Sequence, residues 1–214
     1  MVYFRKSKKV VAVPVRFVGD LRESAAKLKT LFIPTALAMT GLMLLFGDVG
    51  VAMADVPIGP GPTNYTEQPQ PPPGTCHYRT AANGETLPDP NCTPGAISPK
   101  VTPDTLDTTI CKTGYTKSIR PPASITEAEK RANAAAYGYS GPLSGVEYDH
   151  LVPLELGGDP NDPRNLWVEP GASPNPKDGV ESKLHQLVCE GRVPLAAAQE
   201  AIADDWTTAL GVAG

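Results

Sequence analysis

Four cysteines, Cys76, Cys92, Cys111 and Cys189, constrain this chain more than any other feature: all fall after residue 75 and none forms a Cys-x-x-Cys pair. Cysteines placed this way read as disulfides of an oxidising compartment. Four cysteines allow three pairings, and sequence does not choose among them. The preferred one joins Cys76 to Cys92 across a short loop through Asn83-Gly84, and Cys111 to Cys189, tying an upstream element to a late helix. A zinc site of four thiolates is the alternative, but no Cys-x-x-Cys pair exists to start one.

The segment before the cysteines has a different character. Arg5, Lys6, Lys8 and Lys9 form a basic cluster, Leu31 to Phe46 carries no charge, and Ala52-Met53-Ala54 is a small-x-small site. Residues 1–54 therefore read as a secretory signal peptide, or, if uncleaved, as an N-terminal membrane anchor. The expected location is secreted or extracellular, with a membrane-anchored domain as the alternative and no other membrane contact. Residues 1–54 hold eight of the 19 Lys and Arg and three of the 23 Asp and Glu. The rest of the chain is left strongly acidic, which argues against broad electrostatic attachment to nucleic acid.

Residues 55–75, with "PIGPGPTNYTEQPQPPPG", offer little to bury and read as an extended Pro-rich linker. A single domain is expected over 76–214, a normal size for one core. Within it, Thr102-Pro103 opens a helical turn, and Ser124 to Glu127 matches a capping box before a helix from Ala128 to Tyr137. Gly145 to Val152 and Leu166 to Val168 read as two short strands. In Asn175 to Cys189, Val180, Leu184, Leu187 and Val188 share one helical face, and Pro194 opens a last helix carrying Leu195, Ala198, Ile202 and Trp206.

"EYDHLVPLELGGDPNDPRNLW", residues 147–167, lies at the centre of this pattern. Asp149-His150, Gly157-Gly158 and Asn165-Leu166 are followed by a polar helix start at Asn175, with fifteen positions from His150 to Asn165 and ten from Asn165 to Asn175. This resembles the HNH nucleases of the ββα-metal, or His-Me finger, class. "LPDPNCTPGA", "TTIC", "NLWVEP" and "KDGVESKLHQLVC" extend the likeness from Leu87 to about Trp206, toward secreted actinobacterial-type HNH proteins. The fold class expected is α+β: a ββα-metal finger at about 145–190, embedded in a small, helix-rich, disulfide-tied domain.

The resemblance implies a metal-dependent endonuclease, a hydrolase acting on nucleic acid, more readily DNA than RNA, with little sequence preference and no protein partner. His150 would activate water, since an imidazole titrates near neutrality. Asp149 would hold one divalent ion, Mg2+ in the first place, with Mn2+, Zn2+ or Ni2+ as alternatives. Asn165 would orient the histidine by tying the loop after it, and Pro153 would end the strand so that two neighbouring residues can face one site. Asn175 and Asp178 are equal candidates for a second protein ligand, and Asn175 before Pro176 also reads as an N-cap. Arg164, Lys177 and His185 are candidates for gripping substrate phosphates. A second reading keeps the scaffold without turnover, as a non-catalytic extracellular or cell-envelope binding module.

Overall fold

The computed structural model describes residues 55–171 and 173–214, so the signal peptide or anchor expected over 1–54 lies outside the described residues. Arg79–Thr80 (β1) and Thr86–Leu87 (β2) form a small antiparallel sheet closed through Asn83-Gly84. Glycine suits this turn because Gly84 has φ +91, a left-handed conformation that side chains resist. A 3-10 turn at Pro103–Thr108 is capped by Thr102 and Thr105, and a short helix at Tyr115–Ile119 (α1) follows. Ala123–Ala136 (α2) starts directly after Pro121-Pro122, five residues before the helix expected at Ala128. The box at Ser124 to Glu127 is inside its first turns, because Pro122 supplies the extended N-cap backbone and leaves Ser124 nothing to cap.

Val146–His150 (β3) and Leu166–Pro170 (β4) form the second antiparallel sheet, in a register that sets Asp149 opposite Trp167 and His150 opposite Leu166. Pro176–Cys189 (α3) and Leu195–Asp205 (α4) complete the chain with a 3-10 turn at Ala209–Ala213. The result is a small, helix-rich α+β domain with two small antiparallel sheets and two disulfides. Cys76 pairs with Cys92 and Cys111 with Cys189, the preferred pairing of the three. Among the described residues, no helix is long and apolar enough to cross a membrane.

Two apolar clusters hold these elements. In one, Leu184, Leu187 and Val188 of α3 meet Ala198, Ile202 and Trp206 from α4 and its end, with Val152 and Leu156. In the other, Ala134 and Tyr137 at the end of α2 pack on Val146, Leu151, Trp167 and Val168 of the β3/β4 sheet. Each valine, leucine or isoleucine among them, fully removed from water, contributes roughly 1.5–3 kcal/mol. The β3/β4 sheet thus packs on α2, while α3 packs on α4 and on the loop that follows β3.

The Pro-rich stretch lies along this domain instead of leading away from it. Ile58 bridges Ile97, which in turn bridges Gly158. The Gly59 amide donates to Ile97 O at 2.9 Å, the Gly61 amide to Asp159 Oδ2 at 2.6 Å, the Gln68 amide to Glu129 Oε1 at 2.7 Å and the Gly74 amide to Ala135 O at 2.9 Å.

Candidate cleft around Lys177

The loop between β3 and β4 is fixed by one side chain. Asn165, fully buried, accepts from the Val152 amide at 2.9 Å and the Ala96 amide at 3.3 Å, and donates to Val152 O and Asp159 O at 3.0 Å each. An amide is the side chain that can do this, since it offers donors and an acceptor on one planar group. The turn comes so close that a Cβ on Gly158 would sit 1.7 Å from Val152 O.

At the end of β3, His150 is 8 % exposed and its Nε2 lies 3.0 Å from Pro160 O. Burial lowers its pKa to about 4, helped by the nearby positive charges of Arg120 and Lys177 and opposed by the Pro160 carbonyl and Asp149. The imidazole is therefore neutral near pH 7 and a weaker base than an ordinary histidine.

Lys177 fills the place beside this pair. Its side chain is 1 % exposed, and the ammonium donates to His150 O at 2.9 Å and to a Glu181 carboxylate oxygen, while lying 2.8 Å from Asp149 Oδ2. Burial pulls its pKa down, but Asp149, Glu181 and Glu169 outweigh that, so the group stays charged. Burial and the surrounding carboxylates raise the pKa of Glu169 and of Glu181, although Lys177 partly offsets both. Asp149 Oδ2 also accepts from Trp167 Nε1 at 3.2 Å.

Asn175 and Asp178 work on the helix. Asn175 Oδ1 accepts from the Lys177 amide at 2.9 Å, and Asp178 Oδ2 accepts from the Asn175 amide at 2.7 Å, a reciprocal capping box. Asn175 Nδ2 reaches Glu147 and Glu169 at 3.4 and 3.3 Å. In front of these groups is a polar cleft of about 200 Å³, lined by Glu147, Asp149, Glu155, Asp178 and Glu181 with Arg120 and His150.

Arg164, expected to grip phosphate, instead chelates Asp162 through Nε at 2.9 Å and Nη2 at 2.5 Å, and reaches Ile58 O. His185 lies elsewhere, its Nε2 2.9 Å from Ile110 O beside the Cys111–Cys189 bridge. The structure thus brings together Asp149, His150, Lys177, Asn175 and Asp178, and leaves Arg164 and His185 outside. Glu169 and Glu181, to which the sequence assigns no role, belong to the cluster. Glu181 stands four residues after Lys177, a helical pairing the sequence could have shown.

These contacts correct the metal-dependent endonuclease expected from the sequence. Among the described residues, the one grouping of metal-ligating side chains is Cys111, His185 and Cys189, and its two sulfurs are bonded to each other, leaving no thiolate for a cation. At Asp149 the expected divalent ion meets a lysine ammonium already in contact with the carboxylate, while Asn175 Oδ1 and Asp178 Oδ2 are engaged as caps. Lys177, expected on substrate phosphate, is instead enclosed in the protein. The hydrolase assignment and the Mg2+, Mn2+, Zn2+ or Ni2+ cofactor are overturned together. Comparison with protein-family models, with curated proteins and with solved structures finds no match.

Proposed function

We propose that this chain is a non-catalytic binding module whose β3, connecting loop, β4 and α3 make a ββα unit like that of the HNH proteins it resembles. The observation that carries the reading is the Lys177 ammonium, held by Asp149, Glu181 and the His150 carbonyl. An internal cation there neutralises the carboxylates without an exchangeable ion, and it leaves the neutral His150 facing a carbonyl. The two disulfides support work in an oxidising compartment.

The cleft in front of Lys177 favours a cationic partner over nucleic acid. Beyond Asp149 and Glu181, which Lys177 already pairs, its walls carry Glu147, Glu155 and Asp178 against Arg120, a balance that repels phosphate and attracts ammonium or guanidinium groups. Glu155 Oε1 is buried at this wall with no hydrogen-bond partner among the described residues. The partner class is therefore a polypeptide segment bearing lysine or arginine.

Titration of the full chain with a fluorescent arginine-rich peptide, and in parallel with a single-stranded oligonucleotide, tests this. The peptide is expected to bind, more weakly in high salt and in Glu155→Gln, with the oligonucleotide inert and plasmid DNA uncut with or without divalent ions. Binding of the oligonucleotide alone, or plasmid nicking that disappears in His150→Ala, overturns the reading.

A further inference from the structure

The segment from Pro57 to Gln70 occupies a groove that recognises a main chain rather than a set of apolar side chains. Besides the amide bonds of Gly59, Gly61 and Gln68, Asn161 Nδ2 donates to Thr66 O at 2.8 Å, Asn133 Nδ2 to Gln70 Oε1 at 2.9 Å and the Ile97 amide to Pro57 O at 2.8 Å. The Tyr65 hydroxyl donates to Ile119 O. The groove floor is made of buried polar groups: Asp159 and Glu129 are 0 %, Asn133 1 % and Asn161 6 % exposed. Of residues 57–70 themselves, Gly61 alone is buried. Lifting this strap hydrates polar groups and leaves both apolar clusters largely closed, so the strap can leave without unfolding the domain.

The base of the strap is built differently. Pro71, Pro72 and Pro73 are half-buried or exposed, and Gly74 and Thr75 are exposed, with Thr75 turned back on Pro72 O through its amide at 3.3 Å and its hydroxyl at 2.8 Å. Just beyond, Cys76 is buried and covalently held to Cys92. Consecutive prolines favour a stiff, extended chain. The Gly74 amide is itself held by Ala135 O at 2.9 Å, so the proline triplet is a short, stiff arm between a separable strap and a fixed anchor, able to swing as one piece.

We infer that two copies of this chain exchange straps, residues 57–70 of each lying in the other's groove about hinges at residues 71–73. Every groove contact is made by the same residues in the exchanged form, because the partner supplies the same sequence. The inference is independent of what the Lys177 cleft binds.

The test places the photocrosslinking residue benzoylphenylalanine at Tyr65 in the full chain and follows mass by light scattering. A concentration-dependent dimer is expected, with crosslinks in the dimer fraction joining two chains at the peptide containing Ile119. A second chain lacking Pro71 and Pro72, whose shortened hinge opposes folding back, is expected to shift to dimer at several-fold lower concentration. A chain that is monomeric at all concentrations with either hinge, or a dimer whose Tyr65 crosslink stays within one chain, overturns the inference.

Discussion

Lys177 cannot be removed from its surroundings one-sidedly. Lys177→Met leaves Asp149, Glu181 and Glu169 close together without their shared cation. Breaking a buried charge pair from one side costs about 3–5 kcal/mol, so urea unfolding of this variant is expected at a clearly lower midpoint. An unchanged midpoint in the variant contradicts the packing role assigned to the ammonium. His150 adds a pH dependence of known sign. Its pKa falls from 6.5 unfolded to about 4 folded, so its contribution is present above pH 6.5 and lost as pH falls through 4. The loss amounts to about 3 kcal/mol at most, from 1.36 kcal/mol per pKa unit. His150→Gln should therefore lose less stability than the parent between pH 6.5 and 4, as read from paired thermal unfolding profiles. Glu169 acts with the opposite sign. Its raised pKa contributes stability below its ordinary 4.5 that is lost as pH climbs through the folded value, and Glu169→Gln is expected to flatten the alkaline side of the same profile.

The elements around the cleft depend on single residues at their ends. Asn175→Ala removes the acceptor for the Lys177 amide and the contacts to Glu147 and Glu169, and losing an N-cap of this kind costs about 1–2 kcal/mol. The helical signal of α3 in circular dichroism should melt earlier by a corresponding amount. Gly158→Ala drives a Cβ into Val152 O and distorts the loop tied by Asn165, so it is expected to destabilise by at least about 2 kcal/mol. At this scale much was legible. The apolar face of Leu184, Leu187 and Val188 gave α3, Pro194 gave the start of α4, and the short alternating runs gave β3 and β4 within a few residues. β1 and β2 are two residues each, too short for a period to register. α2 starts five residues before the capping-box match at Ser124 to Glu127 implies, because Pro122 makes that box unnecessary. Burial of Lys177 was not legible either, since a lysine at a helix start ordinarily stays in water, and two of the carboxylates around it, Asp149 and Glu169, come from β3 and β4.

Across the whole molecule, the two bridges divide the work. Cys111–Cys189 closes 78 residues of sequence and joins the segment before α1 to the end of α3. Removing a bridge of this kind costs about 2–5 kcal/mol, so a Cys111→Ser/Cys189→Ser variant is expected to unfold at markedly lower temperature while Cys76–Cys92 keeps the strap's base in place. The composition of the Pro-rich segment revealed its extended backbone and nothing of its docking, because the groups that hold it, Glu129, Asn133, Asp159 and Asn161, come from positions 61 to 98 residues away in sequence. That arrangement has a mechanical consequence. A load applied at the residue 55 side would meet the strap's hydrogen bonds one after another, from Pro57 to Gly74, and would then stop at a covalent bond between Cys76 and Cys92. The segment would let out about 3.5 Å of chain per residue released, absorbing tension in small steps while the domain behind the bridge stays folded.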